Sequence, residues 1–136
     1  MRNYINNIAR SLPYETWYYV NQTESAARIV YDKLGPGLKE KVYEKCLAKE
    51  LDKKGLSVKR QLRLPVIYDG EPTGDSYLVD LMVEDDLIVE VKSVDRMIPL
   101  HWKQLLTYMK ICNKRIGLLI NFNCENIKGN IKRIRR

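Results

Sequence analysis

Asp80, Glu90 and Lys92 are the residues whose types and spacing could do chemistry. They lie within residues 78–92, where two β-rich runs, 77–83 and 87–92, are separated only by Glu84-Asp85-Asp86. A two-residue turn at Asp85-Asp86 would pair Leu81 with Glu90 and Val79 with Lys92. A three-residue turn pairs Val83 with Leu87, Leu81 with Val89 and Val79 with Val91, apolar against apolar at every position. Side chains alternate between the faces of a strand, so such matching decides register, and the three-residue turn is expected. Asp80 then lies opposite Glu90 on the other face, one step from Lys92, among the apolar Leu78, Met82 and Ile88. Facing carboxylates repel, and two of them on an apolar face require a cation. Lys92 is one candidate; a divalent metal held by carboxylate and water oxygens is the better match. The plainer reading is a solvent-facing strand with a Glu90–Lys92 ion pair.

Two further groups of polar residues stand out. On a helix expected over residues 38–54, Val42, Tyr43, Cys46, Leu47 and Leu51 form an apolar arc, and Glu40 projects inside it, with Glu44 at its edge. The alternative for Glu40 is a surface acid in a first turn, where the helix dipole favours negative charge; both readings stand. On a later helix His101, Gln104 and Tyr108 fall at i, i+3 and i+7 and make a polar ridge, which is also what a plain solvated face looks like. Cys46, Cys112 and Cys124 are widely spaced without a CxxC pair, and His101 is the sole histidine. A structural zinc site is therefore not expected, and any metal would be Mg²⁺ or Mn²⁺ on oxygen ligands.

The elements that must position these residues read as follows. Ile5, Ile8, Ala9 and Leu12 sit at helical spacing before Pro13, and Trp17-Tyr18-Tyr19-Val20 is an aromatic cluster. Ala26, Ile29, Val30 and Leu34 predict a helix over 23–34, with Thr23 or Ser25 as cap and Gly35-Pro36-Gly37 as stop. Gly55 ends the 38–54 helix. Residues 56–68 read as a strand closing in the Asp69-Gly70 turn, and Pro65 argues for an edge or a bulge. After the 77–83 and 87–92 strands, Pro99 opens a helix through Cys112 with Ile98, Trp102, Leu105, Met109 and Cys112 on one face. The apolar run 116–120 reads as a buried central strand. The order ααβββαβ predicts an α/β domain on a mixed sheet.

Length and charge bound the function. The chain has 136 residues with 45% hydrophobic and 30% charged content, which fits one globular domain and excludes a second catalytic one. No apolar stretch approaches the ~20 residues of a spanning helix, so no membrane role is expected. The start, Met1-Arg2-Asn3-Tyr4-Ile5, lacks the pattern of a secretory signal, and three reduced cysteines fit a cytoplasmic protein. The net charge is +7, yet five of the 24 cations lie in residues 127–136, and the remaining 19 against 17 acids leave the body at +2. Lys128, Lys132, Arg133, Arg135 and Arg136 thus form a basic tail that could grip phosphates or serve as a solubilising terminus. Residues 1–21 read as an N-terminal extension and 22–136 as the domain.

These residues resemble a known group. Gly37-Leu38-Lys39-Glu40-Lys41-Val42-Tyr43 matches the pattern that names the GxxExxY proteins. Asp80 followed by Glu90-Val91-Lys92 is similar to the D…(D/E)xK signature of the PD-(D/E)XK nuclease superfamily. Gln104-Leu105-Leu106-Thr107-Tyr108 is similar to the QxxxY motif of its exonuclease-like branch. The resemblance covers residues 22–134 and implies a restriction-endonuclease-like core, a four-stranded mixed sheet flanked by helices. It implies Asp80 and Glu90 as ligands of Mg²⁺ or Mn²⁺, and Lys92 as the group that orients or deprotonates water or neutralises developing charge. Glu40 would be a further ligand or water acceptor, and Gln104 and Tyr108 would position substrate. Two departures are visible: Val79 replaces the usual proline before the aspartate, and Ile98 stands where a Ser or Thr cap is usual.

Three functions follow as expectations. The first is a metal-dependent nuclease acting on DNA. The second is a nucleic-acid-binding module that uses the basic tail and turns nothing over. The third is an interaction protein, a homodimer joined through Trp17-Tyr18-Tyr19.

Overall fold

Helix α1 spans Tyr14–Leu34 in a computed structural model that describes residues 12–136; Ile5, Ile8 and Ala9 lie outside the described residues. The helix begins at Tyr14 rather than Thr23 because the buried stripe does not start at the later residue. Thr16, Val20, Thr23, Ala27 and Val30 are all buried, three or four residues apart, so one face runs unbroken through the aromatic cluster. Pro13 opens it, its carbonyl accepting the Thr16 N–H at 3.1 Å. Thr23 and Ser25 are therefore interior residues and not caps, and the Thr23 hydroxyl donates to the Tyr19 carbonyl at 2.7 Å. Trp17 and Tyr19 pack against the core and Tyr18 is the exposed member of the three, so the cluster is largely spent within the fold. The boundary expected at 21/22 falls inside this helix.

Gly35, at φ 65°, stops α1 and donates to the Tyr31 carbonyl at 2.7 Å. The loop to α2 (Glu40–Lys53) is tied by one side chain. Tyr43, fully buried and stacked on Phe122 at 4.5 Å, accepts the Leu38 N–H at 3.1 Å and donates to the Gly35 carbonyl at 2.6 Å. Gly37, at φ 98°, makes the turn that a Cβ would strain. Gly55 closes α2 as expected, its N–H on the Asp52 carbonyl.

The strands are β1 (Val58–Tyr68), β2 (Glu71–Val83), β3 (Leu87–Lys92), β4 (Ile116–Asn121) and β5 (Ile131–Arg135), side by side in that order. Only β3 and β4 run parallel, so the sheet is mixed, as expected. Pro65 sits on the edge strand beside an irregularity between Pro65 and Ile67. β2 starts well before Tyr77 because the ribbon stays paired to the Asp69-Gly70 turn, with Tyr68 opposite Glu71.

The sheet has five strands rather than four, because the expected basic tail is β5. A short 3-10 turn, Ile127–Asn130, started by the Asn126 side chain accepting the Lys128 N–H at 3.1 Å, brings the chain back along β4. Ile131 and Ile134 anchor it from opposite faces, one in each apolar core.

α1 and α2 cover one face over Tyr43, Leu47, Leu81, Val89 and Leu118. α3 (Pro99–Ile111) covers the other, over Val79, Met82, Ile88 and Leu119. Leu105 and Met109 of α3 are fully buried while Ile98 and Trp102 are exposed, so the apolar face is narrower than expected and turned toward His101. Burial of each such side chain is worth about 1.5–3 kcal/mol. Gly117 allows the close approach: a Cβ there would meet Leu105 and Met109 at 3.1 Å.

Candidate active site

The β2–β3 ladder runs Val83↔Leu87, Met82↔Ile88, Leu81↔Val89 and then stops. The expected Val79–Val91 pair does not form. Beyond Leu81 the strands splay, and the backbone groups freed there are taken by side chains. The Glu90 carboxylate accepts the Asp80 N–H at 3.2 Å, and the Asp80 carboxylate accepts the Val91 N–H at 2.9 Å. Each strand's first orphaned donor is closed by the acid of the other, so Asp80 and Glu90 are adjacent at the mouth of the splay.

The face alternation of β2 also changes at Asp80. Leu81 and Val83 lie in the core under α1 and α2, whereas Val79 lies with Met82 in the core under α3. Opposite, in β1, Arg60 pairs with Leu81 and Leu62 with Val79, and the residue between, Gln61, is at φ 51°. Its amide nitrogen donates to Asp80 Oδ1 at 3.2 Å and to Glu44 Oε1. Glu44, 2% exposed, also pairs with Arg60 at 3.1 Å.

Burial is the main influence on both central acids. It pushes the Glu90 carboxyl up to about 8, helped by the neighbouring Asp80 charge. Asp80 is also raised, by burial and by the Glu44 charge, against the Val91 N–H, Gln61 and Lys92, which favour its ionised form. In the metal-free protein this pair resists carrying two negative charges.

Lys92 is half-buried one step along β3, and among the described residues its ammonium group makes no hydrogen bond. Its backbone is braced: its carbonyl accepts the Phe122 N–H at 3.0 Å, and the buried Asn121 side chain opposite holds Val94 by both N–H and C=O. The Ser93 N–H donates to Glu40 Oε1 at 3.3 Å and the Ser93 hydroxyl to the Leu38 carbonyl at 2.6 Å. Glu40 is therefore an exposed residue at the rim beside the end of β3, and the buried acid of α2 is Glu44. The reading of Glu40 inside the apolar arc is corrected. As the first helical residue, it projects into the loop that Tyr43 ties down.

The polar ridge of α3 runs along this face. His101 Nδ1 accepts the Ile98 N–H at 3.1 Å and the His101 N–H goes to the Ile98 carbonyl at 3.0 Å, so the helix start is closed without a side-chain acceptor at Ile98. Burial and then the Lys92 charge hold His101 below its ordinary value. Tyr108 is pushed up by burial and by the charges of Glu90 and Asp80, and its ring lies 5.5 Å from that of Tyr77. Gln104 is exposed and lines a groove of about 220 Å³ with Tyr77, Lys103 and Tyr108. Asp80, Glu90 and Lys92 thus come together with Tyr108 within reach of the acids' charges, Glu40 and His101 stand at the Lys92 end, and Gln104 shares a groove with Tyr108. Glu44 reads from the sequence only as the edge of the α2 arc, while Gln61 and Tyr77 escape a sequence reading; the mismatch of the β1 pattern around Gln61 is the one signal that could have found the former of these two.

The basic segment is committed elsewhere. Arg133 forms two bonds of 2.8 Å with Glu24, and its guanidinium lies 5.5 Å from the Trp17 ring, which Arg135 also overlies at 5.9 Å. Arg136 donates to the Met109 carbonyl and to Asn113. Lys128 and Lys132 are exposed.

Among the described residues no three His, Cys, Asp or Glu side chains group as they would around a metal ion. The donor set still suits one: two hard carboxylate oxygen donors that repel when ionised, with oxygen sites to spare. Mg²⁺ is commonly held by one or two carboxylates, with water and substrate phosphate completing the shell. No helix among the described residues is long and apolar enough to cross a membrane. A family model for the PD-(D/E)XK nuclease superfamily matches residues 18–134. No curated protein and no solved structure matches the chain.

Proposed function

The chain belongs to the PD-(D/E)XK nuclease superfamily, and on that premise we propose that it is a divalent-metal-dependent nuclease hydrolysing phosphodiester bonds of DNA. Its mixed sheet and ααβββαβ order are the restriction-endonuclease-like core of that superfamily, with β5 added. Gly37, Glu40 and Tyr43 place it, in our reading, among the GxxExxY proteins. The observation that carries the proposal is the exchange of carboxylates between β2 and β3. It sets Asp80 and Glu90 side by side with Lys92 next along the strand.

Asp80 and Glu90 would hold Mg²⁺ or Mn²⁺. Such an ion lowers the pKa of bound water and stabilises charge on phosphate oxygens. Glu90 would have to be ionised to serve as a ligand, which burial opposes. Lys92, half-buried and without a hydrogen-bonded partner among the described residues, orients the attacking water or neutralises charge building on the phosphate. Glu40 accepts from water at the rim. Tyr108, Tyr77 and Gln104 border the strand of substrate leaving the site, and Lys128 and Lys132 contact its phosphates. The second reading, a nucleic-acid-binding module without turnover, would use the same basic segment, now as the exposed Lys128 and Lys132 beside and within β5.

Thermal unfolding with and without Mn²⁺ tests the reading. An ion at about 100-fold its Kd adds ~2.7 kcal/mol, a rise of several degrees for a domain of this size. Wild type is expected to show it, and Asp80→Asn, which keeps an acceptor for Val91 without the charge, is expected not to. Equal behaviour of the two proteins removes the metal from this site.

A further inference from the structure

Asp80 is oriented by a side chain that belongs to none of the motifs. We infer that Gln61 is the positioning residue for the Asp80 carboxylate, with Glu44 as its anchor, an assignment that rests on the metal-site reading above. Gln61 stands in mid-strand at φ 51°, a conformation side chains other than glycine and asparagine rarely adopt. That backbone carries its amide between two acids on different elements, Glu44 of α2 and Asp80 of β2. The chemistry fixes which end of the amide faces them, since ionised carboxylates only accept. Both amide protons are therefore committed, one to each acid. Glu44 is held in turn by Arg60, the adjacent residue, so the anchor cannot swing.

The Asp80 carboxylate is thereby fixed at both ends. Oδ2 takes the Val91 N–H and Oδ1 takes the Gln61 amide. A carboxylate oxygen accepts about two bonds, which leaves one position on each oxygen for a cation. A neutral donor is what such a place needs. A lysine or arginine there would compete with the metal, and a glutamate would add a third negative charge to the pair.

Hydrogen exchange and metal binding of the full-length chain test the assignment together. Gln61→Gly suits the left-handed backbone and removes the whole side chain; Gln61→Asn, which tolerates the same backbone but carries its amide one methylene short of the two acids, gives the same readings should the glycine variant not fold. In the metal-free protein the Val91 amide should exchange at least about tenfold faster than in wild type, with Val89 at the wild-type rate as internal reference. The Mn²⁺ concentration that half-saturates the thermal shift should rise about tenfold or more, as loss of a group supporting a ligand does. A residue of purely structural value would change the metal-free melting temperature and leave both readings alone. An unchanged Val91 rate overturns the assignment, whatever happens to the Mn²⁺ response. A faster Val91 amide, in a protein whose wild type shows no Mn²⁺ response, removes the metal reading while Gln61 keeps its hold on Asp80.

Discussion

The two ends of the β2–β3 hairpin each concentrate acids and treat them in opposite ways. At the turn, Asp85 pairs with Lys59 at 2.9 Å, Asp86 accepts the Thr16 hydroxyl at 2.5 Å and Glu84 accepts the Ser57 N–H at 2.7 Å. The Lys59 bond holds Asp85 below the usual carboxylate range. At the open end Asp80 and Glu90 are bonded only to neutral N–H groups, and burial drives both upward. At the turn Asp85 has met its counter-charge within the fold, and the two acids beside it do not face each other across strands; the open-end acids do, and wait for a counter-charge from outside. Acid content alone would not have told the two ends apart.

Breaking the open end should give the largest effect. Lys92→Ala is expected to lower the rate of Mn²⁺-dependent DNA cleavage by about 10²–10³-fold, the scale of losing one charge-stabilising donor. The Mn²⁺-induced thermal shift should stay as in wild type, because the two carboxylates are untouched. Cleavage that survives would move the chemistry away from this face.

Glu90→Gln comes next, read as stability against pH without metal. The unfolded chain releases this proton near 4.5, whereas the fold holds it to about 8. Between those values the native state binds one proton more than the unfolded state, so wild-type stability falls as pH rises through the window. At ~1.4 kcal/mol per unit, and sharing the effect with Asp80, the variant should gain about 2–4 kcal/mol at pH 8.5 and nothing at pH 4. Chemical denaturation at the two pH values reads this directly, and parallel curves would mean the pair is not repelling.

Arg133→Ala sharpens the comparison, because Glu24 is buried as Glu90 is but has a cation. Removing that cation should cost about 1–3 kcal/mol of folding stability while leaving the salt dependence of DNA binding unchanged. Lys132→Ala should lessen that dependence by about one unit of slope. At the turn itself, Asp85→Asn should leave the melting temperature unchanged within about a degree, as exposed pairs contribute little.

Most of the sheet was legible because apolar residues matched across the turn. Val83–Leu87 and Leu81–Val89 pair as apolar matching demands, and Val79–Val91 fails because at that point the carboxylates, not the backbones, carry the hydrogen bonds. Glu40 and Glu44 exchanged places because helical spacing shows where an arc is centred, not which neighbour closes it; Arg60 and Gln61 close it over Glu44. Gln61 left only a faint trace, the break in the β1 alternation beside it, and its role is not apparent until its backbone angle is known. β5 was hidden by its charge. Arg133 and Arg135 read as solvent-facing, yet the Trp17 ring gives their side chains a surface to lie on. The GxxExxY segment was legible as a pattern, but its division of labour was not: Tyr43 ties the loop so that Glu40 can face Ser93.

The exchange of carboxylates between β2 and β3 bears on how such a site would age. Asp80 and Glu90 each close a backbone donor of the opposite strand, so a chain released from the need to bind a metal would still need an oxygen acceptor at both positions, which the amides Asn and Gln also supply. Lys92 has no such second employment. Without that need the lysine would be dispensable, while acceptors at the two acid positions would stay on as masonry. Acids exchanged for their amides, with the fold intact, would be the mark of a site kept as architecture alone.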